Sequence, residues 1–415
     1  MPKIQIEGNH ELTGEVTISG AKNSAVALIP ASILSTNSII YNVPKITDID
    51  YLIKILELLN CKVEMKDGNL YIDSSNVVSK DIPEELSVQM RASYYFMGAL
   101  LAKFKHAEIC YPGGCKIGNR PIDLHIKGFE ALGATVTQIK SKFIIDAKKL
   151  KGAKIYLDFP SVGATINIML AATAAEGTTI IDNAAKEPEI VNVASFLINM
   201  GCKITGAGTD KIVIEGTKEL NKGVIEVLPD RIEAGTYLII GALLGELKIK
   251  NVIAEHIHAV LVKLKEAGVK YEIQKDGILI HKCDNLKPTT ITTLGYPGFP
   301  TDLQQPFTTL LTQAEGKSII NETIYESRFR NAEYLNIMGA NTKLISFDTL
   351  EINGKTPLKG ADVYSTDLRA GASLLVAGLI ANGITTIDNI ELILRGYEDV
   401  VEKLQKIGAK IKLIP

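Results

Sequence analysis

No apolar stretch of this chain is long enough to span a bilayer: Tyr237 to Leu244 and Leu374 to Ile380 both stop well short of the roughly 18 residues required. Nor is there a long block of like charge. With 45 basic against 47 acidic residues the formal net charge is −2, which gives no electrostatic footprint for nucleic acid or membrane, so any anion site has to be local. The first residues, with Glu7, His10 and Glu11, do not read as a signal peptide, and a soluble cytoplasmic protein is expected.

Metal and cofactor signatures are missing as well. The five cysteines (Cys61, Cys110, Cys115, Cys202 and Cys283) are odd in number, form no CxxC pair and have no histidine at ligand spacing. Cys61, Cys110, Cys202 and Cys283 read as core filler, whereas Cys115 stands apart. His256 and His258 are two apart on a predicted helix and face different directions. HExxH, Walker and dinucleotide-binding glycine patterns do not occur. Neither a metal nor a cofactor is expected.

What the chain has in abundance is repetition. Ile4-Gln5-Ile6-Glu7-Gly8 matches Ile212-Val213-Ile214-Glu215-Gly216, and Glu11-Leu12 matches Glu219-Leu220, at a constant offset of 208 (212 − 4). A finer mark is a glycine, a small residue and a β-branched stretch, as in Gly133-Ala134-Thr135-Val136, Gly201-Cys202-Lys203-Ile204, Gly268-Val269, Gly339-Ala340 and Gly408-Ala409-Lys410-Ile411. Asn60-Cys61-Lys62-Val63 supplies the first copy, and the period is roughly 70 residues. Gly or Asn at this place suits a helix end in the left-handed conformation with a strand following. Small-residue apolar stretches such as Gly371 to Gly378 precede each mark. The pattern predicts six units of strand, strand, helix, strand, helix, three in each half, and 415 residues at 46% hydrophobic can bury ample core for two domains.

Aligning the units brings six predicted helix starts into register: Ala21-Lys22-Asn23-Ser24, Met90-Arg91-Ala92-Ser93, Ser161-Val162-Gly163-Ala164-Thr165, Asp230-Arg231-Ile232-Glu233, Thr301-Asp302-Leu303-Gln304 and Thr366-Asp367-Leu368-Arg369. Capping explains the Ser, Thr and Asp residues. It does not explain Lys22, Arg91, Arg231 and Arg369, since a cation at the positive end of a helix dipole is unfavourable unless an anion binds there. The loop from Tyr111 to Leu124 carries three glycines and sets Cys115 between Lys116 and Arg120; the bland alternative is a glycine-rich turn around an inert thiol.

Lys22-Asn23, Gly113-Gly114-Cys115 through Arg120-Pro121-Ile122-Asp123-Leu124-His125, Pro229-Asp230-Arg231-Ile232-Glu233, Phe299-Pro300-Thr301-Asp302, Asp367-Leu368-Arg369 and Arg395-Gly396-Tyr397-Glu398 together resemble the bacterial UDP-N-acetylglucosamine 1-carboxyvinyltransferases, of the enolpyruvyl transferase family. The resemblance runs the full length. It implies an α/β fold of two inside-out α/β barrel domains, each of three repeated units, with the active site in the interdomain cleft. The implied domains are 20–229, carrying the Cys115 loop, and a discontinuous second domain of 1–19 and 230–415.

The resemblance also implies the reaction. The enolpyruvyl group of phosphoenolpyruvate passes to the 3′-hydroxyl of UDP-N-acetylglucosamine by addition and elimination, releasing phosphate, in the first committed step of peptidoglycan biosynthesis. Such chemistry needs an acid for the methylene carbon and a base for the hydroxyl. By resemblance Cys115 is the acid and the target of a fosfomycin-type inhibitor, and Asp302 lies beside the attacking hydroxyl. Lys22, Arg120 and Arg395 meet the phosphate and carboxylate, with Asn23, Arg91, Arg328, Asp367 and Arg369 nearby. Arg120, Pro121, Ile122, Asp123 and Leu124 match the uridine site, Ser161, Val162 and Gly163 the diphosphate site, and Asp302 and Ile324 the sugar site. Where some family members carry a lysine before Ser161, this chain reads Phe159-Pro160.

Two other readings are open to such a chain. The related 5-enolpyruvylshikimate-3-phosphate synthase shares the architecture but does not use this cysteine motif. A non-catalytic paralogue that binds the sugar nucleotide would have lost one of Cys115, Asp302, Lys22 or Arg395, and all four are present. The oligomeric state is left open.

Overall fold

The computed structural model describes residues 2–113 and 121–415, so Cys115 and Arg120 lie outside the described residues. The chain divides into two compact units, one of residues 2–19 and 229–415 and the other of residues 20–113 and 121–228. Each is built around three helices: α1 (Lys22–Ala31), α2 (Tyr95–Phe104) and α3 (Val162–Ala172) in the second, α4 (Arg231–Leu244), α5 (Thr301–Leu311) and α6 (Leu368–Ile380) in the first. These helices are apolar or small-sided all round, which is the signature of a helix with no solvent face. In α3 every residue from Gly163 to Ala172 is buried, and in α6 every residue from Leu368 to Leu379.

Three sheets accompany the three helices of each unit. In the sheet after α5, Thr290–Thr292 runs parallel to Gly316–Asn321, which pairs antiparallel with Thr349–Gly354, and that strand with Thr342–Ser346. Alternation places Ile291, Ile320, Leu350 and Ile352 in the core. The repeat is therefore strand, helix, strand, helix, strand, strand. The sequence pattern predicts five of these six elements; the extra one is a parallel edge strand of three or four residues, too short for alternation to register. In the second repeat it shrinks to a single bridge, Ile82 to Ile109.

The helix-to-strand mark behaves as its composition requires. Asn60, Gly133, Gly201, Gly268, Gly339 and Gly408 all have positive φ, between 68° and 111°.

Two edge strands are exchanged between the duplicated halves. Gly14–Thr17 and Gly223–Glu226 correspond, within a residue, under the 208-residue offset. Yet Gly14–Thr17 precedes α1 in the chain and pairs with Leu247–Lys250, while Gly223–Glu226 precedes α4 and pairs with Asn37–Tyr41. Lys3–Glu7 lies between Ile384–Asp388 and Lys410–Ile414. Among the described residues no helix is long and apolar enough to cross a membrane.

A buried polar group ties α2 to α3. The Asn167 side chain accepts from the Gly98 amide (2.9 Å) and donates to the Tyr94 carbonyl (3.0 Å) and to His125 Nδ1 (2.9 Å). Because Nδ1 accepts, the His125 ring is neutral with its proton on Nε2. Burial, helped by the charge of Arg91, pulls its pKa down to about 3.

Two stability predictions follow from this packing. A Cβ at Gly216 would stand 1.7 Å from the Ala175 carbonyl oxygen, and one at the duplicated Gly8 would stand 2.3 Å from that of Ala381. Gly216→Ala and Gly8→Ala should each lower stability by about 1–3 kcal/mol, the usual cost of overpacking; unchanged urea midpoints would show that the backbones can separate freely. For His125, the unfolded ring takes up a proton below its ordinary value near 6.5 that the folded ring refuses until about 3. Its contribution is thus complete above pH 6.5 and lost as pH falls, by up to about 1.4 kcal/mol per pH unit. Urea unfolding at pH 7 and pH 5 should show a smaller pH-induced loss in His125→Gln than in the wild type, and equal losses would count against this account.

Candidate active site

In the unit of residues 229–415, the first turns of α4, α5 and α6 carry the charged residues. Asp230 caps α4 by accepting from the Ile232 and Glu233 amides (2.7 and 3.0 Å), and Asp367 caps α6 by accepting from Arg369 and Ala370 (2.9 and 3.0 Å). Helix α5 follows Pro300 and has no side-chain cap. Thr301 and Asp302 are thereby released from the capping role their residue types suggest. Thr301 donates to Glu322 (2.8 Å), and Asp302 receives Arg328 Nη2 at 2.7 Å and Arg369 Nη2 at 3.0 Å, one on each oxygen.

The Arg328 and Arg369 side chains are 3% and 4% exposed, whereas that of Asp302 is 25% exposed and so keeps an open side. Burial alone would raise the Asp302 pKa, but the two guanidiniums overcome it and hold the carboxyl well below its usual range. Arg328 Nε and Arg369 Nη1 have no hydrogen-bond partner among the described residues. Their unpartnered N–H groups are available to a further anion. Nearby, Glu322 accepts from the Ile324 and Tyr325 amides (2.9 and 3.2 Å) and from Thr293 (2.9 Å), fixing a turn on which Ile324 is 42% exposed. Ile324 is thus a surface residue and takes no part in the core. Arg395 directly follows the one-turn helix Glu391–Leu394, and Tyr397 is buried beside Arg369.

Behind the α4 cap, Lys403 Nζ contacts both Glu233 (2.5 Å) and the Ser19 hydroxyl (2.6 Å), and the Ser19 amide donates to Glu233 (2.8 Å). Burial raises the Glu233 pKa to about 7 despite Lys403.

In the unit of residues 20–228, Lys22 at the start of α1 pairs with the buried Asp48 (2.7 Å). Asn23 is half-buried, and Ser24 donates to Asn192. Arg91 opens a 3-10 turn before α2 with its guanidinium 5.6 Å from the Tyr94 ring, and that ring meets His125 edge-on at 4.8 Å. Ser161 caps α3 through the Ala164 amide (3.3 Å). A Cβ on Gly163 would stand 2.6 Å from the Tyr94 hydroxyl, so only glycine lets this helix start close on Tyr94. Ile122 and Leu124 are buried, while Pro121 and Asp123 face outward. Tyr94 thus brings together Arg91, the start of helix Asp123–Ala131 and Ser161 to Gly163. Phe159 is 54% exposed.

The cations at helix starts therefore have partners within the protein. Lys22 pairs with Asp48 and Arg369 with Asp302, so a bound anion is not needed to explain their placement, as the sequence alone suggests. Asp48 and Lys403 support the candidate site with no sequence signal of their own, because their partners Lys22, Ser19 and Glu233 lie far away in the chain. One cluster of metal-ligand type occurs among the described residues, Asp81, His106 and Glu108, and Lys142 already bridges its two carboxylates.

Comparison with known proteins agrees with this arrangement. Residues 6–404 match the family model of EPSP synthase (3-phosphoshikimate 1-carboxyvinyltransferase). The chain is 51% identical over 414 residues to UDP-N-acetylglucosamine 1-carboxyvinyltransferase 2 of Bacillus subtilis, covering 99% of this chain and 96% of that protein. With its namesake from Listeria monocytogenes it is 50% identical over 411 residues, covering 99% and 97%. Among solved structures it is similar to the enolpyruvyl transferase NikO of Streptomyces tendae, with a TM-score of 0.90 at 27% identity over 100% of this chain and 99% of the other. EPSP synthase from Acinetobacter baumannii, at 19% identity and a TM-score of 0.76 over the whole of both chains, shares the fold. Two units of three buried helices, a charged cluster at the helix starts and near-complete coverage of these relatives agree: the chain belongs to the enolpyruvyl transferase family, among the UDP-N-acetylglucosamine 1-carboxyvinyltransferases.

Proposed function

We propose that this protein transfers the enolpyruvyl group of phosphoenolpyruvate to the 3′-hydroxyl of UDP-N-acetylglucosamine, releasing phosphate, in the cytoplasmic first step of peptidoglycan biosynthesis. The observation that carries this reading is Asp302 on the first turn of α5, open on one side and held by Arg328 and Arg369. In the same reading each unit is an inside-out barrel, the domains are 20–229 and 1–19 with 230–415, and both contribute residues to one reaction.

The chemistry divides into two steps. In addition, the sugar hydroxyl oxygen bonds to C2 of phosphoenolpyruvate while C3 gains a proton, from Cys115, and the hydroxyl proton passes to Asp302. In elimination, C3 gives a proton back, the double bond reforms and the C2–O bond to phosphate breaks. Asp302 is too weak a base while both arginines hold it, because an effective base titrates near the working pH. An incoming carboxylate or phosphate draws on the same guanidiniums and so raises the proton affinity of Asp302 as the substrate arrives. Lys22, Arg120 and Arg395 complete the anion site, with Asn23, Arg91 and Asp367 beside it. Arg120 to Leu124 and Ser161 to Gly163 hold the nucleotide, Ile324 the sugar. Lys116 and Arg120, flanking Cys115 in sequence, make its thiol more acidic: the thiol gives its proton to C3, and the thiolate is the form that attacks an electrophile.

Phosphate release should require UDP-N-acetylglucosamine and should not occur with shikimate 3-phosphate; the reverse preference would assign the protein to the other branch of the family. In the same assay Asp302→Asn should bind nucleotide normally while turnover falls by about 10² or more. Wild-type turnover in that variant would remove Asp302 as the base. Fosfomycin should alkylate Cys115, the thiolate sulfur bonding to an epoxide carbon as its C–O bond opens, and faster when UDP-N-acetylglucosamine is bound. Peptide mass mapping that finds the adduct on Cys61, Cys110, Cys202 or Cys283 would overturn the assignment. The folded state argues against at least two of these, since burial pushes the Cys61 and Cys202 thiols up to about 11 and about 12.

A further inference from the structure

We propose that Tyr397 is a positioning residue that fixes Arg369, and through it Asp302, by linking the first turns of α4, α5 and α6. The inference rests on the reading of Asp302 as the base.

The direction of the hydrogen bonds can be worked out. Thr236, one turn into α4, donates its single hydroxyl hydrogen to the Ile232 carbonyl (2.9 Å). The 2.9 Å contact between the Thr236 and Tyr397 hydroxyls must then have tyrosine as the donor. Burial raises the Tyr397 pKa, so the phenol is neutral and has this proton to give, while the Arg369 charge and the Thr236 bond act the other way. With its hydrogen committed to Thr236, the phenol is anchored at its oxygen, and its ring face meets Arg369, whose guanidinium carbon lies 5.6 Å from the ring centroid. Arg369 in turn reaches Asp302 Oδ2 through Nη2 at 3.0 Å. The relay runs from Ile232 through Thr236, Tyr397 and Arg369 to Asp302.

The hydroxyl bond to Thr236 anchors the ring at its far end, and the ring face in turn bears on where Arg369 presents its second nitrogen to the carboxylate. Tyr397 is 3% exposed and acts on the reaction through Arg369.

Tyr397→Phe keeps the ring face under Arg369 and deletes only the oxygen. It should lower kcat by about ten-fold, with KM for both substrates within about two-fold and little change in melting temperature, since a displaced group next to the chemistry costs rate more than binding. Thr236→Val, which removes the acceptor and leaves the tyrosine intact, should act in the same direction by about three-fold. The decisive measurement is a double-mutant cycle with Arg369→Lys: in that background Tyr397→Phe should change kcat by less than about two-fold. A full kcat loss in both backgrounds, wild-type kcat in Tyr397→Phe, or losses that track melting temperature would each overturn the relay. If Asp302→Asn is crippled while Tyr397 and Arg369 prove additive, only the relay fails. If Asp302→Asn turns over normally, the base reading fails, and Asp302 with it as the end of the relay.

Discussion

Two buried guanidiniums cannot stand in a protein interior without a counter-charge, and the Asp302 carboxylate between Arg328 and Arg369 meets that demand. Much else about this unit follows from it. Because Asp302 is engaged, it does not cap α5, and Pro300, which has no amide hydrogen to satisfy, precedes the helix instead. Because the carboxylate is shared, each arginine keeps N–H groups that it does not engage, at helix starts whose dipoles favour anions. The other unit solves the same problem with Lys22 and Asp48, a single buried pair at the start of α1. In each unit a carboxylate thus holds a cation in place at a helix start.

The cost of such an arrangement is carried by neutral and ionic neighbours that keep the charged groups in register. Glu322 accepts four hydrogen bonds and fixes the turn beside Asp302. Glu233, Lys403 and Ser19 form a comparable knot behind the Asp230 cap. Asn167 does the same for Tyr94 and His125 without any charge. Each of these groups is bonded, and all but the partly exposed Ser19 and Lys403 are buried or nearly so.

How much of this can be read from the chain alone depends on the range of the interaction. The left-handed mark at Gly133, Gly201, Gly268, Gly339 and Gly408 is legible because a local backbone requirement dictates the residue type. The six central helices are legible because small and apolar residues fill them on every side. The site residues Lys22, Arg91, Asp302 and Arg369 draw notice because charge sits where a helix dipole or a cap calls for something else. The pairings are not legible: Asp302 meets partners 26 and 67 residues away, and no local pattern encodes that choice. The exchange of Gly14–Thr17 for Gly223–Glu226 is hidden for a different reason, since two copies of one strand fit either edge and only the path of the chain decides between them.

That exchange also sets a timetable for synthesis. Every strand in the three sheets of the 20–228 unit lies between Asn37 and Glu226, so this unit can close as soon as those residues have left the ribosome. Lys3–Glu7 is made well before both of its neighbours, Ile384–Asp388 and Lys410–Ile414. At roughly 5–20 residues per second the wait is on the order of tens of seconds. Throughout it, a strand whose Ile4 and Ile6 are destined for the core remains without a partner on either edge. The nascent chain is therefore in need of protection at Lys3–Glu7 long after that strand has emerged.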